Sequence, residues 1–217
     1  MLAGIMARPN PAASLSVPAT FGRQLERLGA CRRCPAVAGR PVARPVTRSA
    51  VYLRGQAPGP TEEREGMGFC GPAGKTLFRW FASIGVDEAR FRERVFMGAL
   101  IRCFPGKNDG RDGDRRPSRT EIDACADHFA EELRQLRPRL VLLVGQMAIA
   151  QLLPGQTLDA VVGGAFPLEY AGHAFTALPL PHPSGLSRWI QKEPGRGLLQ
   201  RALALLSEQP AWRETFA

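Results

Sequence analysis

The sequence predicts an α/β fold: a three-layer α/β/α sandwich built on a central, mostly parallel sheet. Three observations carry that expectation. Short apolar runs of strand length alternate with segments of helical periodicity, the pattern of a doubly wound sheet. Residues 139–144 include an unbroken apolar run, as expected of a strand covered on both faces. The chain has 217 residues, 44% hydrophobic and 23% charged, which fits one domain and excludes disorder throughout.

The elements follow in order. Residues 1–18 hold one charged residue, Arg8, and no sustained apolar stretch. They are expected to form a flexible tail with no signal peptide evident, leaving 19–217 as a single domain. A first helix covers 21–28, where Phe21, Leu25 and Leu28 share a face, and it runs straight into Cys31 and Cys34. After a Pro/Arg-rich connector, 50–53 reads as a short buried strand ending at a glycine turn, 55–59. Residues 74–84 are helical, with Leu77, Phe78, Phe81 and Ile84 on one stripe, and 95–101 form a second strand. The stretch 106–117 has no apolar residue and several turn formers, so it is an exposed loop.

Ser118 with Glu121 forms a capping box that starts a helix running to Leu136 and stopping before Pro138. The strand at 139–144 comes next, and Gly145 opens a helix reaching Leu153. Weaker strands are expected near Val161, near Leu168 and at 175–178. A final helix at 197–206 closes the domain, and no internal repeat is present. Ligands of such sheets collect beyond the carboxyl ends of the strands. The loops after Leu53, Ile101 and Leu178 all lie at such ends.

Lys+Arg number 29 against 20 Asp+Glu, a net charge of +9, and only Lys75, Lys107 and Lys192 are lysine. Arginine forks onto phosphate oxygens, which favours an anionic partner, nucleic acid first among them. A GC-rich genome gives the same bias without that meaning. Apolar runs fall far short of the ~20 residues a membrane span needs, so no membrane role is expected. Five cysteines without a secretory signal point to metal or redox chemistry and to the cytoplasm. Cys31 and Cys34 make a close pair, Cys103 and Cys125 a wide one. Four such donors suit a tetrahedral zinc site or a four-iron cluster, and spacing leaves both open. Cys70 reads as a packing residue.

Gly55-Gln56-Ala57-Pro58-Gly59, followed by Gly66-Met67-Gly68-Phe69-Cys70-Gly71-Pro72-Ala73-Gly74, closely resembles the first motif of the iron–sulfur uracil-DNA glycosylases. That motif runs roughly GEAPG, an acidic pair, then GxPFVGxAG, and Glu62-Glu63 occupy the acidic pair. Leu143-Val144-Gly145 is similar to the family's LG turn, and His182-Pro183-Ser184 to its second motif. The likeness spans about 31–206. It implies a [4Fe–4S] cluster on Cys31, Cys34, Cys103 and Cys125, DNA as partner, and a monomer. It also implies a base pocket of Gly55, Gln56, Ala57, Phe69, Ala99 and His182.

Excision needs the base outside the duplex stack, in a pocket with a flat apolar wall. The resemblance makes Phe69 that wall, with the glycine-rich main chain passing beside the base. His182 would stabilise charge developing on the departing base or the abasic sugar, and with Gln56 it forms the candidate catalytic pair. Ser184, Ser187 and Arg188 would hold DNA phosphates, buttressed by Trp189. His128, mid-helix, is expected to be structural, and His173 lies outside the motifs.

Two departures matter. Gln56 replaces the family's Glu, and an amide can position water but cannot activate it. Ala99 occupies the slot of an Asn that reads the uracil edge, and alanine cannot separate uracil from cytosine by hydrogen bonding. The 106–117 loop is also longer than usual; Lys107, Arg111, Arg115 and Arg116 are candidate backbone contacts, while Asp109, Asp112 and Asp114 suit a solvated loop equally. Arg32, Arg33 and Arg102 adjoin cluster cysteines and would offset cluster charge as readily as bind phosphate. The expectation is a repair glycosylase that flips uracil or another deaminated base and hydrolyses its N-glycosidic bond, with weak or altered specificity. The alternatives are a non-catalytic lesion-recognition protein on the same iron–sulfur fold and, less favoured, a zinc-stabilised binding domain.

Overall fold

The computed structural model describes residues 19–37, 39–44, 49–108, 110, 113–184 and 188–217. The expected tail lies outside the described residues, as do Asp109, Arg111, Asp112 and Ser187.

Continuous apolar runs become central strands. β1 (Val51–Gly55) and β3 (Leu140–Val144) are buried along their whole length. β2 (Phe96–Ala99), β4 (Phe166–Tyr170) and β5 (His173–Leu180) complete one sheet of order β2-β1-β3-β5-β4. All neighbours run parallel except the β4–β5 hairpin. β4, at the edge, alternates between partly buried and exposed residues, as one covered face dictates.

The helices are α1 (Ala19–Gly29), α2 (Pro60–Glu65), α3 (Pro72–Ala82), α4 (Glu88–Arg94), α5 (Arg119–Leu136), α6 (Gln146–Ala150), α7 (Leu158–Val161), α8 (Gly195–Glu208) and α9 (Pro210–Phe216). Strand alternation sorts them into two layers. Leu53, Leu142 and Leu178 face Phe81, Phe91, Leu203 and Trp212 from α3, α4, α8 and α9. Tyr52, Phe96 and Val141 face Phe21, Phe129 and Leu133 from α1 and α5. The predicted three-layer α/β/α architecture is therefore present. Among the described residues no helix is long and apolar enough to cross a membrane.

Several local expectations need correction. Val161 ends helix α7 rather than lying in a strand; its neighbouring valine suggests β structure, but Leu158 and Val161 share a helical face and both meet the core. The helix after Gly145 stops at Ala150. The helix at 195–208 does not close the fold, because Pro210 starts α9, which adds Trp212 and Phe216 to the core. Helices α2 and α4 were not predicted. α4 is announced only by its cap: the Asp87 side chain accepts from Arg90 N at 2.8 Å.

Candidate functional site

The carboxyl ends of β1, β2, β3 and β5 open into a cavity of about 780 Å³. Gly55, Gln56, Ala57, Phe69, Ala99 and His182, scattered over 128 positions of sequence, all line it, and so does Ser184. Arg188 is exposed at the entry to a 3₁₀ turn, Trp189–Gln191, outside that lining.

The first wall is main chain held close. Gly55 stands beside Ala99 in the β1–β2 register, and its carbonyl accepts from Leu100 N at 3.0 Å. Glycine at 55 lets the Phe69 ring come close: a Cβ there would lie 3.0 Å from the ring, which would have to give way. Glu62 then ties the two halves of the motif together. Its Oε2 accepts from Gly59 N at 3.1 Å and its Oε1 from Gly71 N at 2.8 Å. Pro60 at the first helical turn and Gly66 at the left-handed C-cap (φ 62°) make α2 a single short staple between them.

His182 enters from the opposite side, at the end of β5. Gly145, φ 91°, leaves the space its imidazole fills. Its Nδ1 accepts from Ser184 N at 3.2 Å, which assigns the proton of the neutral ring to Nε2. Burial pushes its pKa below the ordinary histidine value, so near neutral pH the ring is an uncharged donor.

Behind the floor lies a buried polar network. Tyr52 Oη donates to Glu132 Oε2 at 2.6 Å, and Arg102 pairs with the same carboxylate and with Tyr52 Oη at 3.1 Å. Both Arg102 and Glu132 are at most 2% exposed. Burial works against the Arg102 charge, but Glu132, Tyr52 and Cys125 together offset it, and the Arg102 pKa is raised. Arg102 is thus a buried ion-pair member at the cavity floor rather than a surface phosphate contact. Gly98 backs onto this network; a Cβ there would overlap Tyr52 Oη. Arg54 stacks 3.6 Å over the Phe129 ring.

Beyond Arg102, Cys31, Cys34 and Cys125 all lie near enough to Cys103 to raise its thiol. All are free and partly buried. The Cys103 thiol is pushed up to about 12, by burial first and then by Cys125, Cys31 and Cys34. Arg102 lies beside Cys125, where it favours the thiolate, and Arg33 lies beside Cys31, which favours the guanidinium charge. Among the described residues no group of three or more Cys, His, Asp or Glu meets metal-binding geometry. The structure therefore gathers an all-sulfur donor set without drawing it into a cage. That donor chemistry, flanked by arginines, fits an anionic cluster or zinc. Cys70 stands apart near the start of α3.

Other expectations resolve plainly. His128 is buried, its Nδ1 lies 3.3 Å from Gln24 Nε2, and burial pushes it down to about 4; it is structural. His173 Nε2 contacts Pro138 O at 2.7 Å, in the core. Arg115 forks onto Glu121 at 2.7 and 3.0 Å and onto Pro105 O at 2.8 Å, so it struts the charged loop. The loop itself folds over the cavity rim. Lys107, Asn108, Asp114 and Arg116 line it, as do Gln146 and Met147 of α6. Of these, only Lys107, Asp114 and Arg116 stood out from sequence, as residues of a charged loop. The only signal was loop length.

The fold is an α/β/α sandwich on a mostly parallel sheet, with its cavity at the carboxyl ends of the strands. The family model for the uracil DNA glycosylase superfamily matches residues 44–206, well over half of the chain, and the chain belongs to that superfamily. Its likeness lies with the type-4 branch. It is 28% identical to the Type-4 uracil-DNA glycosylase of Archaeoglobus fulgidus over 144 residues, 64% of this chain and 67% of that one. It is 28% identical to that of Pyrobaculum aerophilum over 183 residues, 81% and 87% of the two chains. For that of Thermotoga maritima the figures are 25% over 178 residues, again 81% and 87%.

Proposed function

We propose that the protein is a DNA glycosylase that takes an extruded base, uracil or another deaminated base, into the 780 Å³ cavity and hydrolyses its N-glycosidic bond. The observation that carries this is the convergence of all six base-pocket residues on one cavity at the strand ends. Phe69 offers the flat face, and the main chain at 55–59 runs beside the base. In the reaction the water oxygen bonds to C1′, the C1′–N bond breaks, and its electron pair leaves with the base. The neutral Nε2–H of His182 donates to the base oxygen where that charge collects. Gln56 positions the water but takes no proton from it; that proton passes through solvent to the departing base anion, and Ala99 leaves one base edge unread. The expected enzyme is slower and less selective than one with Glu and Asn at those positions.

Cys31, Cys34, Cys103 and Cys125 would hold a [4Fe–4S] cluster, which supplies no open position for chemistry and acts as a cross-link between the ends of α1 and β2 and helix α5. Anaerobically purified protein should be brown with iron and sulfide; zinc in a colourless protein would replace the cluster in this reading. Ser184, Ser187 and Arg188 would meet DNA phosphates, and the protein would act as a monomer.

A gel assay for abasic sites on strands carrying uracil, hypoxanthine or a mismatch should show product from at least one. Its absence from all of them leaves the second reading, a lesion-recognition protein without cleavage, which Gln56 and Ala99 favour. In that case restoring Gln56→Glu with Ala99→Asn should create uracil excision on an otherwise intact scaffold.

A further inference from the structure

Phe69 holds the aromatic face of the cavity, yet its backbone is left-handed, with φ 54°. A bulky residue disfavours that region, so contacts outside the turn must hold it. Arg92, on α4, does so from one side. Its Nη1 donates to Gly68 O at 2.8 Å and its Nη2 to Phe69 O at 2.7 Å, a fork across two successive carbonyls.

The fork is itself fixed. Arg92 Nε donates to Glu88 Oε1 at 2.7 Å, and its guanidinium carbon lies 4.5 Å above the Phe78 ring. On the other side, Gly74 presses on the Phe69 carbonyl so closely that a methyl group would overlap it. The Phe69 ring, at the far end of the residue, rests against Gly55. The carbonyl is gripped between Arg92 and Gly74, and the ring angle follows from that grip.

We infer that Arg92 is a positioning residue for Phe69: its two-point clamp holds the left-handed turn and so sets the plane a captured base meets. The inference rests on the reading of Phe69 as the base-stacking residue. Arg92 does not line the cavity and acts only through the turn. Lysine, a single point charge without a planar fork, can serve one carbonyl but not both in register.

A double-mutant cycle tests this. The full chain is titrated with a fluorescent single-stranded oligonucleotide carrying one uracil or one hypoxanthine, and with the same strand undamaged. Phe69→Ala should lower the preference for the lesion strand by roughly tenfold to a hundredfold, the scale of one base–aromatic stack. Arg92→Met, which keeps a stem over Phe78 but removes the fork, should lower it several-fold, and Arg92→Lys should fall between. The Phe69→Ala/Arg92→Met protein should be no worse than Phe69→Ala alone. Gly74→Ala, displacing the same carbonyl from the opposite face, should reproduce Arg92→Met, and it carries the comparison if Arg92→Met fails to fold.

Arg92 and Phe69 effects that simply add, or an Arg92→Met preference equal to the wild type where Phe69→Ala lowers it, overturn the positioning role and leave the stacking reading standing. An unchanged preference in Phe69→Ala, or a wild type that prefers neither lesion, removes the stacking reading and the inference with it.

Discussion

The two walls of the cavity are held by different physics. The wall at 55–74 is gripped by charged groups that bond main chain: Glu62 takes Gly59 N and Gly71 N, and Arg92 takes Gly68 O and Phe69 O. At the rim, main-chain hydrogen bonds and the Arg115 fork hold the base of the loop, while the Lys107–Asp114 pair at 2.7 Å lies in solvent, with side chains 63% and 39% exposed. Hydrogen bonds to a charged partner that fix backbone contribute about 1.5–3 kcal/mol, whereas exposed ion pairs contribute about 0–1 kcal/mol. The charged groups of the first wall grip main chain directly, whereas the outermost contact of the rim is an exposed ion pair.

The largest effect that could break this comparison lies at His182. His182→Ala should lower excision by about a hundredfold to a thousandfold, the usual loss for one preorganised donor. Single-turnover kinetics on a lesion strand would read it, and a loss under tenfold would put the charge-stabilising group elsewhere. Because burial holds the His182 pKa below its ordinary value, the loss of activity on acidification should set in at lower pH than an ordinary histidine would give, as protonation ends acceptance from Ser184 N.

Next comes Glu62→Gln. The amide keeps one acceptor and turns a donor toward the second N–H, so one of Gly59 N and Gly71 N loses its partner. Denaturant unfolding should report a loss of about 1–3 kcal/mol, with weakened lesion binding. Equal stability would mean that the two halves of the motif are not tied by this carboxylate.

The smallest effect is expected at the rim. Asp114→Asn should change stability by less than about 1 kcal/mol, yet weaken the salt dependence of DNA binding little or raise affinity slightly by removing a negative charge at the mouth. A stability loss as large as that of Glu62→Gln would erase the distinction between the walls.

The fold was readable because short apolar runs alternating with helical periodicity specify a parallel sheet, and the first wall was readable only through the resemblance that residues 55–59 and 66–74 carry. What escaped depends on contacts between distant segments. Arg92 lies 23 residues beyond Phe69 in a seven-residue helix with one buried residue, Phe91, too short to show a period. Arg102 reads as a cluster or phosphate neighbour because its partner, Glu132, is 30 positions away and just as buried. Val161 looks like a strand residue beside Val162, although tertiary packing places it in a helix. The rim could be recognised as a loop but not placed, since polar turn sequences do not say which way they fold.

The rim ribbon is closed at its base by main-chain hydrogen bonds from Arg115 N to Gly106 O at 2.9 Å and from Asn108 N to Gly113 O at 3.2 Å, while the Arg115 side chain anchors it to the cap of α5 through Glu121. Its two ends are therefore neighbours fixed to the same support. Chain can be added or removed between them without moving the sheet, since each doubling of a closed loop costs only about 0.6 kcal/mol. The ribbon can therefore change in length while the wall at 55–74 stays as it is.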